Sequence, residues 1–134
     1  LLDKSKISAE IIDLRSLRPI DNKTILKSVK KTKRLIVLDN GWKTIGISSE
    51  IISLISENIE KKLKANPVRL ALSDNPIPST NSLAKFSYIN FETLLDTISK
   101  VTKKKINTKQ KNQFFKKINS METDIPFKDF RGPF

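Results

Sequence analysis

The chain has 134 residues, of which 37% are apolar, and this suits a single folded domain with one core. Its formal charge of +12 leaves two interpretations open, an anionic partner or a lysine-rich solvated surface. It has no histidine or cysteine, which excludes disulfides, thiolate nucleophiles and the common zinc ligand sets. No apolar run reaches the roughly 18 residues of a membrane span, and no signal peptide is recognisable, so we expect a cytoplasmic protein without membrane contact.

The first part of the sequence predicts a strand, a helix and a second strand. The apolar, β-branched residues of segment 7–14 are typical of a strand. Pro19 forces a turn after it, and Asp21 stands where the N-cap of a short helix belongs. That helix ends in a lysine-rich last turn, where the helix dipole favours cations. The apolar run 34–39 then predicts a strand of a parallel sheet, buried on both faces.

The second part predicts two more helices and a third strand. After Gly46, isoleucine and leucine at every fourth position predict a longer helix that Pro67 breaks. Residues 68–72 predict a strand, and the two prolines of segment 74–80 predict a loop. Asn90 predicts the N-cap of a last amphipathic helix. Strands alternating with helices indicate an α/β layered sheet with helices on both faces.

The helical and strand pattern fades after about residue 104. We therefore divide the chain into a domain of residues 1–104 and a tail of residues 105–134. Residues 103–134, which are the tail and the two lysines before it, carry nine Lys and Arg against three Asp and Glu, so this end of the chain is strongly basic. A short docking turn or helix within the tail is suggested by its apolar residues Phe114, Phe115 and Ile118.

Seven segments occur in an order that matches a known family. They are residues 8–15, 17–21, 28–32, 41–42, 46–51, 65–69 and 74–78. From about residue 1 to about residue 103, the chain resembles the C-terminal domain of the transketolase superfamily. Within it, the chain is most similar to the beta subunit of the thiamin-diphosphate-dependent 2-oxo acid dehydrogenases of the pyruvate, branched-chain and acetoin types. Members usually begin this domain with a further strand and helix, so we expect an N-terminally truncated domain.

The resemblance implies a three-layer α/β/α sandwich with a mostly parallel sheet. It also implies a part of an enzyme that is inactive alone, with thiamin diphosphate and Mg2+ held by other domains of the full enzyme. No cofactor-contact motif of the family falls on this chain, so we expect no catalytic, cofactor-binding or metal-binding residue here. The implied partners are a dehydrogenase alpha subunit or N-terminal thiamin-binding domains, a lipoyl acyltransferase core, and a second copy through dimer contacts.

Two other functions stay open. One is the C-terminal domain of a transketolase-like or deoxyxylulose-phosphate-synthase-like enzyme. Trp42 and the Asp-x-Pro-x-Pro loop favour the dehydrogenase over this alternative. The other is a non-catalytic binding module whose basic tail engages nucleic acid. The lysines are not interleaved with aromatic residues and no nucleic-acid motif is present, which argues against nucleic acid as a partner.

Two positions after strands are candidates for contacts. Trp42 follows Asp39 at the carboxyl end of a strand, where open α/β sheets place ligand crevices, so both are candidate interface residues. The alternatives are a packing role for Trp42 and turn hydrogen bonds for Asp39. Arg15 and Arg18 are candidates for gripping a phosphate or carboxylate, with structural ion pairs as the alternative.

Three aromatic residues of the tail, Phe127, Phe130 and Phe134, are further candidates for an interface. Aromatic side chains dominate the energetics of protein interfaces, so these residues suit anchoring to a partner. A tail that folds back over its own domain is the alternative.

Overall fold

The computed structural model describes residues 1–84 and 86–119. A short 3-10 turn at Asp3–Ser5 comes first. The helices and strands that follow are α1 (Asn22–Thr32), β1 (Ile36–Trp42), α2 (Ile47–Asn58), β2 (Val68–Leu72), α3 (Asn81–Ala84), α4 (Phe91–Thr102) and α5 (Thr108–Asn119). In this part of the chain, no helix has the length and apolar character that crossing a membrane requires.

The two strands form a parallel pair. Ile36 lies opposite Val68 and Leu38 opposite Leu70, with a register irregularity before Trp42. Parallel strands need a crossover connection, and α2 provides it. This arrangement confirms the predicted α/β fold class and its parallel sheet.

The main core lies between the sheet and the first two helices. Ile25 and Val29 of α1, Val37 of β1, and Ile51 and Ile55 of α2 are buried together. Burying one such side chain contributes about 1.5–3 kcal/mol, so this group is the largest source of stability visible in the fold.

A second, smaller cluster joins the ends of the described chain. It consists of Ile7, Leu95 of α4 and Ile106, with Phe115 of α5 packed against it. Phe114 of α5 also contacts Phe91 of α4 edge to face, with ring centroids 5.7 Å apart. Residues 108–119 therefore form a docking helix rather than a turn, and this helix packs against α4.

The helix ends agree with the sequence in their local chemistry. The Asp21 carboxylate accepts the backbone N–H of Thr24 at 3.1 Å, and the Asn90 side chain accepts that of Thr93 at 2.8 Å. Both predicted N-caps are thereby confirmed. The last turn of α1 contains Lys30 and Lys31, as the lysine-rich sequence indicates.

Segment 7–14 is not a strand, and that prediction was wrong. A strand requires a neighbour with which to share a hydrogen-bonded ladder, and within the described residues this segment finds none. Ile11 is 90% exposed, so the apolar pattern does not reflect burial along the whole segment. The backbone instead turns, with Ser16 donating to the Leu14 carbonyl and Arg15 at φ 52°.

Two further details differ from expectation. β1 is not buried on both faces, because Val37 points into the core whereas Leu38 is 54% exposed. α2 ends at Asn58 rather than near Pro67. The chain must turn back there to lie beside α1 and β1, where Lys64 donates to the Lys33 carbonyl at 2.8 Å.

Candidate functional site

The connection between β1 and α2 lies at the carboxyl end of the parallel strands and is braced by Asp39. The Asp39 carboxylate accepts the N–H of Gly41 at 2.8 Å through one oxygen and that of Ser48 at 3.2 Å through the other. The N-cap residue Gly46 has no side chain to cap α2. Asp39 therefore satisfies an N–H of the first helical turn from the preceding strand. The turn hydrogen bonds considered for Asp39 are the contacts that this structure gives it.

A second set of contacts holds the same connection from β2 and the loop after it. Asp74 accepts the backbone N–H of Thr44 at 3.3 Å and also the Thr44 hydroxyl. Arg69 donates to the Lys43 carbonyl at 2.9 Å and to the Ser49 hydroxyl. The connection is thus tied to both strands. We call residues 42–46, which begin with the last residue of β1, the braced loop.

Close packing inside the braced loop makes glycine necessary at position 46. A Cβ atom there would come 2.1 Å from the Trp42 carbonyl oxygen and 3.0 Å from an Asp39 carboxylate oxygen. The first distance is shorter than a carbon atom tolerates against backbone, and the second is tight enough that the Asp39 side chain would have to move slightly. Because Gly46 has no side chain, the backbone can pass close to the Trp42 carbonyl at the end of β1 before α2 starts.

The braced loop holds two large apolar side chains in an exposed position. Trp42 is 60% exposed and Ile45 is 97% exposed. Ile45 also has a left-handed backbone, with φ 60°, which a β-branched residue rarely adopts. Such strain persists only where the surroundings fix the conformation, and it concentrates at functional sites. A rigid loop presenting a tryptophan and an isoleucine to solvent is suited to docking against a protein surface.

The start of α2 already holds a carboxylate of the chain itself. The Ser48 hydroxyl is fully buried and has no hydrogen-bond partner in the described part of the chain. The N–H groups that open a helix can bind anions, but here the Asp39 carboxylate already occupies that position. Negative charge at this point repels a phosphate, so this helix start is closed to anions.

The other predicted contact residues do not join this site. Arg15 pairs with its near neighbour Asp13, with its Nε 3.4 Å from a carboxylate oxygen, and both are exposed. Arg18 is exposed, and in the described chain it forms no ion pair. Phe127, Phe130 and Phe134 lie outside the described residues. An anion contact at Arg15 and Arg18 therefore stays a prediction.

Sequence reasoning missed the bracing residues and the exposure of Ile45. Thr44 and Asp74 are 30 positions apart, and no local pattern connects them. The prolines after Asp74 indicated a loop but not what the loop would hold. For Ile45 the sequence carried no signal, because an isolated isoleucine normally indicates burial.

Comparison with known proteins places this fold in a family. Residues 1–93 match the family described as "Transketolase, C-terminal domain". The chain belongs to this family. The matched part of the transketolase C-terminal domain includes both strands and the whole braced loop, and it ends at the start of α4.

Individual relatives are more specific than the family. The chain is 36% identical over 104 residues to "Pyruvate dehydrogenase E1 component subunit beta, mitochondrial" of Dictyostelium discoideum, covering 78% of this chain and 29% of that protein. It is 40% identical over 90 residues to "Pyruvate dehydrogenase E1 component subunit beta" of Cyanidium caldarium, covering 67% and 28%. The chain thus spans less than a third of the length of these relatives.

Proposed function

We propose that this transketolase C-terminal domain belongs to the beta subunit of a thiamin-diphosphate-dependent 2-oxo acid dehydrogenase, and that it serves subunit assembly. The observation that carries the proposal is identity of 32–40% to proteins named as pyruvate dehydrogenase beta subunits. These names favour a 2-oxo acid, pyruvate, over the sugar phosphates of transketolase-like enzymes.

The braced loop supports a role in assembly. Ordering a flexible loop on binding costs free energy, and here Asp39, Asp74 and Arg69 have already fixed the conformation. Burial of an exposed tryptophan and isoleucine would then contribute about 2–3 kcal/mol each before other costs. The partner that we propose for Trp42 and Ile45 is another subunit of the enzyme, either the alpha subunit or a second copy of this domain.

The start of α2 does not fit a diphosphate, and the described residues do not fit Mg2+. A diphosphate bound at a helix start requires open N–H groups, and here the Asp39 carboxylate already accepts one of them. Mg2+ prefers clustered oxygen ligands, and the described residues contain no cluster of three or more acidic side chains suited to a metal. Our proposal that the cofactor lies in other domains and that this chain is inactive alone follows from the likeness to pyruvate dehydrogenase beta subunits.

The proposal also concerns the other subunits of the complex and the cellular compartment in which it works. The alpha subunit and a lipoyl acyltransferase core are the partners that a pyruvate dehydrogenase would supply. The cytoplasmic location stays a prediction, since the name of the Dictyostelium discoideum relative includes "mitochondrial" and that of the Cyanidium caldarium relative does not.

Affinity purification of the native, full-length product tests the proposal. We expect mass spectrometry to identify a dehydrogenase alpha subunit and a lipoyl acyltransferase among the co-purified proteins. Recovery of a transketolase-like partner alone would instead assign the domain to an enzyme that acts on sugar phosphates. Recovery of nucleic-acid-associated proteins in place of both would contradict an enzyme role.

A further inference from the structure

A groove lies between the end of α1 and the segment that follows α2. Its volume is about 480 Å³, and the residues that matter for its chemistry are Lys30, Lys33, Lys61, Ile59, Leu63 and Glu60. Its two walls are held together by the hydrogen bond from the Lys64 N–H to the Lys33 carbonyl, 2.8 Å long. The groove is distant in sequence from the braced loop and shares no residue with it.

The groove is positive. Of the charged residues that line it, Lys30, Lys33 and Lys61 are cationic and Glu60 is the single acidic one. Lys30, Lys33 and Lys61 are exposed, and none of them has an acidic partner within residues 1–84 and 86–119. The dipole of α1 stabilises cations at its own last turn but gives no reason for Lys61 on the opposite wall. Like charges brought together in this way repel one another, and an anionic ligand would remove that repulsion.

The apolar lining distinguishes between kinds of anion. Ile59 and Leu63 are half-buried and pack on the edge of the main core, so they give the groove an apolar wall. The lining contains no aromatic residue on which a nucleic-acid base could stack. A phosphate backbone would use the lysines and leave the apolar wall uncovered. An acidic polypeptide can use both.

We propose that this groove docks an acidic polypeptide segment. Carboxylates of the segment pair with Lys30, Lys33 and Lys61, and its apolar side chains pack on Ile59 and Leu63. Glu60 at the same groove disfavours a segment that is acidic at every position, which is a second reason to expect acidic and apolar residues in combination. The inference does not rest on the proposed dehydrogenase role, because it uses only the charge and shape of this surface.

Fluorescence anisotropy with labelled probes and the full chain tests the proposal. The first probe is a peptide of Glu-Glu-Leu repeats, the second has Ser in place of Leu, and the third is a single-stranded oligodeoxynucleotide of equal charge. We expect the leucine peptide to bind about tenfold more tightly than the serine peptide, since its leucines bury apolar surface. Tighter binding of the oligodeoxynucleotide, or equal binding of the two peptides, would overturn the proposal.

Two matched double variants separate the groove from the total charge. Lys30→Gln with Lys61→Gln removes two cations from the groove, and Lys23→Gln with Lys27→Gln removes two from the rest of α1. We expect the groove variant to bind the leucine peptide about tenfold more weakly, and the control variant to change binding by less than about twofold. Equal weakening by the two variants, or no binding of the peptide by the unmodified chain, would overturn the proposal.

Discussion

The Asp39 carboxylate accepts the backbone N–H of Ser48 at 3.2 Å and so joins the end of β1 to the first turn of α2. Its other oxygen accepts the N–H of Gly41 at 2.8 Å. One side chain therefore sets the path of the connection in which Trp42 and Ile45 are exposed. The hydrogen bonds of Asp39 therefore hold the braced loop in place, although no side chain of the loop itself is buried.

Replacing Asp39 tests the bracing. We expect Asp39→Ala to lower the free energy of unfolding by about 1–3 kcal/mol, because it leaves the Gly41 and Ser48 N–H groups without their acceptor. Urea denaturation measures the change. The control is Asp13→Ala, which removes an exposed carboxylate that, among the described residues, contacts only the backbone N–H and side chain of Arg15, so we expect it to cost less than about 1 kcal/mol. Equal effects of the two substitutions would contradict the assigned role.

Gly46→Ala tests the close approach inside the loop. The added Cβ would lie 2.1 Å from the Trp42 carbonyl oxygen, so the backbone must shift. We expect a loss of about 3 kcal/mol or more of unfolding free energy, as for other overpacked sites. Gly41→Ala is the matched control, because the three atoms nearest to its Cβ all belong to the Asp39 side chain, at 3.1 Å or more, and none to the backbone. A larger loss for Gly41→Ala than for Gly46→Ala would show that the loop follows a different path.

Ser48→Ala is expected to leave stability unchanged or to raise it by up to about 1 kcal/mol. The substitution removes a buried hydroxyl that lacks a hydrogen-bond partner in the described chain, and alanine is the better helix former. The backbone N–H that Asp39 accepts is retained. Thermal unfolding checks the result, and a marked loss of stability would reveal a partner for the hydroxyl that this account lacks.

Asp21 makes a contribution to stability that depends on pH. The hydrogen bond from the Thr24 hydroxyl, followed by that from the Thr24 N–H, lowers the pKa of Asp21 below its ordinary value of 3.8. A carboxyl whose pKa is lower in the folded state stabilises the fold above pH 3.8, and this stabilisation is lost as the pH falls through the folded-state pKa.

NMR titration of the Asp21 carboxyl carbon checks this pKa. We expect a midpoint below 3.8 in the unmodified chain and a higher midpoint in Thr24→Val, which lacks the hydroxyl. Thr24→Ser keeps the hydroxyl and should keep the low pKa. A Thr24→Val midpoint equal to that of the unmodified chain would assign the shift to another cause.

The sequence predicted those parts of the fold that depend on near neighbours. Asp21 and Asn90 each cap a helix through a residue three positions ahead, so their roles could be inferred locally. The apolar segments that became β1 and β2 were also recognisable as short apolar runs, although neither strand is as buried as such a run indicates. Segment 7–14 has a similar pattern, but a strand also needs a partner, which its own sequence does not contain.

The candidate site was only partly predictable for the same physical reason. The position of Trp42 at a strand end followed from the strand itself, whereas Asp39 lies within β1, which runs on to Trp42. The bracing by Asp74 and Arg69 depends on β2 lying beside β1, and the basic groove depends on α1 meeting the segment after α2. Both arrangements exist only once the chain is folded.

The central claim is that the braced loop presents Trp42 to another subunit. Trp42 is the only tryptophan of the chain, so labelling with 5-fluorotryptophan places a single ¹⁹F probe at this position. The probe can be observed alone, in a series of increasing chain concentrations, and with the unlabelled alpha subunit. Size-exclusion chromatography shows in parallel whether a complex has formed, and a matched sample of Trp42→Ala reports whether that complex weakens.

In the free chain we expect the ¹⁹F resonance to shift when H₂O is replaced by D₂O, because Trp42 is 60% exposed. On assembly, with the alpha subunit or with a second copy, the resonance should move and lose its response to D₂O. We expect the dissociation constant of the complex to be at least about tenfold higher for the Trp42→Ala chain, as for the loss of an aromatic anchor. A complex in which the resonance keeps its position and its response to D₂O would contradict the claim.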